Sequence, residues 1–285
     1  MNPYANEPPG LIPEGNIDLE GIRSFGPNLD RVGRLYFRYE MRGMHRVPEG
    51  GTLIAGNHSG GKLPIDMFLF GIAWHQHFDY QRPIYTLAHD ILFKGAPWLT
   101  EKLRSIGVVQ ACTENADLLL TNGQSLLVLP GGEYETYRPY SERNKIDFNN
   151  RHGWIRVALR NRAPISPLVG VGGHEMFFIL SRGSAIAKML GLERFLRVSS
   201  FPISLGFPAG VYLGPVPQPF PLPAKITLEL LDPIYLHREE EDHPAYTPED
   251  ADDREKTSAI YRLITSRMQV ALHGLAKERK YPILG

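Results

Sequence analysis

The run Leu53–Asp66, LIAGNHSGGKLPID, constrains the fold of this chain more than any other stretch. A short apolar segment, Leu53–Ala55, stops abruptly at Gly56-Asn57-His58; Ser59-Gly60-Gly61 and Lys62-Leu63 follow, and Pro64 opens what reads as a helix. An apolar run of that length fits a buried strand, and proline is favoured at the first helical position. Asp66 is therefore expected third in the helix, beside unpaired backbone N–H groups, with His58 at the strand's end in a surface cleft. The turn can bring His58 and Asp66 face to face, where a carboxylate on one imidazole nitrogen raises the basicity of the other. Such a pair is a general base with no protein nucleophile beside it. An ordinary hydrogen-bonded loop histidine fits the same spacing. A nucleophile elbow does not, because Ser59 lacks the G-x-S-x-G frame. Trp74-His75-Gln76-His77 offers two imidazoles without the Cys or carboxylate pattern of a zinc site, so no metal is expected.

Further short apolar runs alternate with helix-period stretches. Strands are expected at Thr52–Ala55, Ile84–Leu87, Gly107–Val109, Ser125–Leu129, Ile165–Val171 and Lys225–Leu231, and helices at Leu29–Met44, Pro64–His77, Ala96–Ile106, Glu114–Thr121 and Trp154–Asn161. This rhythm predicts an α/β fold with a mixed, largely parallel central sheet flanked by helices. Glu255–Lys277 reads as an amphipathic helix whose stripe of Ile260, Leu263, Ile264, Met268, Ala271, Leu272 and Leu275 suits core packing. Residues 1–45 read as an arm, loosely ordered to Pro27, and a helix; 46–236 as the α/β domain; 237–285 as an acidic solvated linker, Arg238–Asp253, and the C-terminal helix packed on the same domain.

Lys plus Arg equals Asp plus Glu, 31 each, so the chain has no overall field to attract nucleic acid. The single Cys112 excludes an intramolecular disulfide and suits a reducing compartment. The polar, proline-rich start lacks the features of a signal peptide, and no uncharged run approaches the roughly 20 residues that span a bilayer. Met176–Pro223 breaks the α/β rhythm with FFIL, AIAKMLGL and ERFL before a run of Pro, Gly, Phe and Val. It reads as a core helix and loop, or as an apolar rim that dips into lipid or lines an acyl tunnel. On the second reading the protein is cytoplasmic and attached peripherally to the inner face of a membrane through this segment, with Arg182, Lys188, Arg194 and Arg197 near anionic headgroups.

Four segments, NHSGGKLPID, FKGAPWL with the following LRSIGVVQA, VLPGGEYE and RHGWIRVALRNRAPISPLVGVGG, resemble in order and rough spacing the four blocks of the glycerolipid acyltransferase superfamily, with its lysophospholipid acyltransferase-like fold. The resemblance covers about Gly51 to Ile234, and the PGGxxE form of block three is most similar to the monoacylglycerol and diacylglycerol acyltransferase-like branch. It implies a glycerol-3-phosphate acyltransferase-like fold and O-acyl transfer from acyl-CoA or acyl-carrier protein to a lipid hydroxyl, with no cofactor. In that frame His58 is the base and Asp66 its partner. Gly131 and Gly132 let backbone N–H groups approach the acceptor or the oxyanion, unless they form a plain tight turn. Glu133 matches the block-three acid that contacts acceptor hydroxyls. Arg138, Arg143 and Arg151 meet phosphates of the donor, unless they are scattered surface arginines. The pattern departs twice. Seven residues separate His58 from Asp66 where four are usual, a bulge that Gly60 and Gly61 can absorb. Gln110-Ala111-Cys112-Thr113 stands where relatives taking phosphorylated acceptors carry an Arg; Lys62, Arg151 or Arg156 would have to substitute.

Overall fold

The computed structural model describes residues 17–60, 64–94, 96–192, 200–206, 210–214, 220–281 and 283. In chain order its strands are β1 (Glu40–Arg42), β2 (Leu53–Gly56), β3 (Ile84–Ala88), β4 (Val108–Gln110), β5 (Ser125–Val128), β6 (Ile165–Val171), β7 (Phe178–Ser181), β8 (Ile203–Gly206), β9 (Gly210–Leu213) and β10 (Thr227–Leu230). Its α-helices are α1 (Leu19–Tyr36), α2 (Ile65–His77), α3 (Pro97–Ser105), α4 (Thr113–Thr121), α5 (Glu133–Thr136), α6 (Gly153–Arg160), α7 (Gly173–Met176), α8 (Ser184–Met189) and α9 (Arg254–Glu278).

Seven strands form one mixed, mostly parallel sheet in the order β1-β10-β6-β2-β5-β3-β4, an α/β fold with helices on both faces. β2 lies in the middle, parallel to β5 on one side and to β6 on the other. A strand buried on both faces needs apolar side chains in both directions. Leu53 and Ala55 accordingly enter the core that includes residues of α4, α6 and α9, and Ile54 enters the opposite core with Phe70 and Trp74 of α2. All three are completely buried, and each large aliphatic side chain so placed contributes about 1.5–3 kcal/mol. β10 runs antiparallel to β6, and β1 parallel to β10. On α9 the buried stripe is Ile260, Ile264, Met268, Leu272 and Leu275, which closes the core under β6.

Three stretches differ from expectation. α1 begins at Leu19, inside the stretch read as a loose arm, with the Asp18 carboxylate capping it from the Gly21 N–H at 2.8 Å. It runs through Pro27, the expected end of the loosely ordered arm, and Gly26 and Gly33 are the small residues at which it lies against Tyr80 and Leu69. The expected helix to Met44 instead ends at Tyr36, and Arg38 turns the chain with a φ of 44° into β1. Within Met176–Pro223, β7, β8 and β9 form a separate antiparallel sheet with α8 beside it. Arg238–Asp253 is more than a solvated linker: Glu240 and His243 form a bridge, and Thr247 and Asp250 make a capping box ahead of α9.

Candidate active site

β6, β2 and β5 are adjacent and parallel, so their carboxyl ends open on the same edge of the sheet. Ligand sites in open α/β sheets lie outside such ends. The loops leaving these strands are Asn57-His58-Ser59-Gly60, Pro130-Gly131-Gly132 into α5, and Gly172 into α7. The Asn57 side chain ties the first of them to β6. Its amide nitrogen donates to the Gly170 carbonyl at 3.0 Å, and its oxygen accepts from the Gly170 N–H at 2.8 Å.

His58 is 8% exposed, not in the surface cleft expected from the sequence. Its Nδ1 is buried without a hydrogen-bond partner. Burial pushes the imidazole pKa below its ordinary value, and the Asp66 carboxylate pulls it partly back. The ring is therefore neutral near pH 7 and able to take a proton, with a negative charge at hand to stabilise the cation that results. Asp66 is wholly buried. It is the second residue of α2, because Pro64 occupies the cap position. Its Oδ2 accepts from the Ser59 hydroxyl at 2.5 Å and the Ser59 N–H at 3.2 Å, and its Oδ1 from the Met67 N–H at 3.0 Å. Asp66 Oδ2 is thus tied to the loop carrying His58 and Oδ1 to its own helix, and the carboxylate acts on the ring through its charge. Gly60, with a φ of 109°, makes the bend, and a Cβ there would meet the His174 ring at 2.2 Å.

Glu135 is the residue that sequence reasoning missed. Its Oε2 accepts from the backbone N–H of His58 at 3.0 Å, while its Oε1 lies 3.4 Å from the Arg138 guanidinium. Burial pushes its carboxyl pKa up to about 8, against the pull of Arg138 and of the His58 N–H. Gly131 is needed for this approach, since a Cβ there would sit 2.2 Å from the Glu135 side chain. The signal was present: the acid that ends PGGxxE is Glu135, two residues beyond Glu133. Glu133 itself is half-buried at the start of α5, close enough to Tyr137 to help raise that phenol's pKa after burial.

The remaining expected residues divide. The Gly132 N–H donates to the Leu129 carbonyl at 3.0 Å in a tight turn, so it is not a spare oxyanion donor. Arg138 lies inside, 1% exposed, with its guanidinium on Glu135, on the Asp147 carbonyl at 2.9 Å and over the Tyr134 ring. Arg151 is exposed but donates to the Pro130 and Gly131 carbonyls at 3.2 and 3.1 Å, bracing the turn. Arg143 pairs with the buried Glu175 at 3.4 Å. Lys62, Arg194 and Arg197 lie outside the described residues. His174 adds a second buried imidazole at this edge, its pKa lowered to about 3 by burial and by Arg138.

Residues 34–240 match the family described as diacylglycerol acyltransferase. An uncharacterised protein of Mycobacterium tuberculosis is 31% identical over 242 residues, 82% of this chain and 64% of that protein. A Mus musculus protein named DGAT1/2-independent enzyme synthesizing storage lipids is 31% identical over 204 residues, 71% of this chain and 58% of that protein. Human diacylglycerol O-acyltransferase 2 is 26% identical over 155 residues, 52% of this chain and 39% of that protein. The chain thus spans less than two thirds of the length of these relatives.

Proposed function

This chain belongs to the diacylglycerol acyltransferase family, and on that premise we propose that it is an O-acyltransferase, moving a fatty acyl group from an acyl-CoA or acyl-carrier-protein thioester to the hydroxyl of a glycerolipid or another lipid acceptor. The observation that carries this reading is the neutral, buried His58 imidazole beside a pinned Asp66, at the confluence of three parallel strand ends. His58 takes the acceptor's hydroxyl proton as the oxygen attacks the thioester carbonyl. Asp66 stabilises the imidazolium. The C–S bond then breaks, and the proton passes to the departing thiolate. Ser59, the hydroxyl next to the base, donates to Asp66, so it serves the loop rather than the attack.

The acceptor is uncharged: a monoacylglycerol, a diacylglycerol or a long-chain alcohol. Gln110, where a phosphate-holding Arg would precede α4, ends β4, and Arg138 and Arg151 are committed to protein partners. Losing a charge-assisted contact forfeits about 1.5–3 kcal/mol per hydrogen bond. The site works at a membrane surface, where lipid acceptors are available. No described helix is long and apolar enough to cross a membrane, whereas Leu180, Met189, Leu190, Leu205, Val211, Leu213 and Phe220 expose a large apolar surface around the second sheet. Surfaces of that kind insert at the headgroup boundary.

The test is mass spectrometry of products from one acyl-CoA with a panel of acceptors, for the wild type and His58→Ala. Acyl ester that depends on both acceptor and His58 supports the reading. Free fatty acid irrespective of acceptor would make the protein a thioesterase, and no product at all would leave it a lipid-binding surface protein. A clear preference for lysophosphatidate over its phosphate-free counterpart would overturn the neutral-acceptor part alone.

A further inference from the structure

The acidic segment before α9 contains a cluster of converging ligand atoms. Glu240, Asp242 and His243 each offer one atom, and these atoms lie within 4.8 Å of one another. The local backbone fixes the cluster. Glu240 and His243 face each other across a tight turn, the Glu240 N–H donating to the His243 carbonyl at 3.0 Å. His243 is 5% exposed and stacked on Tyr246.

The imidazole orientation is the informative feature. Its Nδ1 is 2.9 Å from the Pro244 carbonyl, an oxygen that can only accept, so Nδ1 carries the proton. In the neutral ring Nε2 is then a lone pair. That lone pair is buried without a hydrogen-bond partner and points at the Glu240 carboxylate, Oε2 being 3.5 Å away. Two acceptors facing each other are stabilised by positive charge, from a proton on Nε2, from a bound cation, or from the Arg267 guanidinium, whose terminal nitrogen also lies 3.8 Å from Glu240 Oε2. The spacing of Nε2 and Oε2, 3.5 Å, suits a cation between them: ligand atoms about 2.0–2.1 Å from a tetrahedral ion lie about 3.4 Å apart. Hydrogen bonds also hold both carboxylates in place. Glu240 Oε1 accepts from the Tyr235 N–H at 3.4 Å, and Asp242 Oδ2 is held by the Nε and a terminal nitrogen of Arg267 on α9, at 3.0 and 2.5 Å. Metal-binding histidines and carboxylates are oriented in this way by hydrogen bonds on their outer atoms.

We propose that Glu240, Asp242 and His243 bind a divalent transition-metal ion, Zn2+ by the nature of the donors, with Arg267 orienting Asp242 and water completing the shell on the exposed side. One nitrogen and two carboxylate oxygens form a set zinc accepts readily, and magnesium or calcium, which prefer all-oxygen shells, do not. The ion would staple the 237–253 segment to α9, away from the acyl-transfer chemistry, so the proposal stands whether or not that reading holds.

The experiment is isothermal titration of the tag-free, chelator-stripped full chain with zinc chloride, beside Asp242→Asn and His243→Gln, with Co2+ as the spectroscopic substitute. Asp242 is well exposed, so its variant keeps the fold and the comparison remains decisive even if His243→Gln is destabilised. The expected result is one equivalent of Zn2+ bound at micromolar or tighter affinity, at least tenfold weaker binding in Asp242→Asn, a tetrahedral Co2+ spectrum, and a rise in Tm of about 5 °C at a hundredfold excess over Kd. No binding to the wild type would show that a proton on Nε2 or the Arg267 guanidinium balances the pair without a metal. Binding unchanged in both variants would place the metal elsewhere. Either result overturns the proposal.

Discussion

The carboxyl edge of the main sheet and the outer face of the second sheet break the ordinary division of a protein in opposite directions. At the first, His58, Asp66, Glu135, Arg138, His174 and Glu175 are almost wholly buried. At the second, Leu180, Leu205, Val211 and Leu213 stand in the open, as does Met189 at the end of α8, at 78% exposure. A buried polar group costs stability unless it is hydrogen-bonded or paired, and a contiguous exposed apolar patch invites contact. The difference teaches where this chain departs from what folding alone requires. The first departure holds an imidazole neutral and oriented; the second leaves apolar side chains facing solvent.

The largest expected effect is on the chemistry of the buried edge. His58→Ala should lower acyl transfer at least ~10²-fold, and Asp66→Asn should also lower it, by removing the charge that stabilises the imidazolium. Both are read as initial rates with one donor and one acceptor. Near-wild-type turnover by folded His58→Ala protein would show that these polar residues are buried for some other reason. Next in size is Glu135. Glu135→Ala leaves the His58 N–H without its acceptor and takes one acceptor from the buried Arg138 guanidinium, and a buried donor left unsatisfied costs about 1–3 kcal/mol. Glu135→Gln keeps an acceptor for the N–H and should cost distinctly less. Urea unfolding of both variants checks the order; equal losses would mean that Glu135 matters only as packing volume.

The two extreme shifts predict pH dependence of opposite sign. Glu135 holds its proton up to about 8 in the folded protein, far above an unfolded glutamic acid. Its contribution to stability is complete below the unfolded value and is lost as pH rises through about 8. His174 stays neutral down to about 3, so its contribution is present above the unfolded histidine value and is lost as pH falls from there toward 3. Glu135→Gln should flatten the alkaline limb of a stability profile and His174→Asn the acid limb. A limb unchanged by its own substitution would sink that assignment. The smallest effect on the fold belongs to the second sheet. Replacing Met189, Leu190, Val211 and Leu213 by Ser should leave Tm nearly unchanged and weaken flotation with liposomes. If wild-type protein floats with neither neutral nor anionic vesicles, the apolar face meets something other than lipid.

How far the sequence could be read follows from how local each signal is. β6 and α2 were legible within a residue of their ends, because an apolar run against a punctuating Pro or Gly is a neighbour-to-neighbour signal. β1 was not, because Glu40-Met41-Arg42 becomes a strand only when β10 supplies its partner from far along the chain. β7 to β9 were missed for a related reason: an edge sheet with one exposed apolar face lacks the alternation that marks a half-buried strand. At the candidate site, the juncture of His58 with a downstream Asp could be read from spacing. That Asp66 bonds Ser59, that Glu135 rather than Glu133 reaches the loop, and that Arg138 turns inward could not, because each depends on which side of a short turn faces the sheet.

The pairing of β1 with β10 also sets a schedule. Glu40–Arg42 waits for Thr227–Glu229, roughly 190 residues later. At about 5–20 residues per second of synthesis, that is a delay of about 10–40 s. Until β10 emerges, β6 presents one bare edge, the kind of surface that recruits strands from other chains. The growing polypeptide thus carries this open edge while the three strand ends that bear His58, Glu135 and His174 already exist, and the last strand among the described residues is the one that covers it.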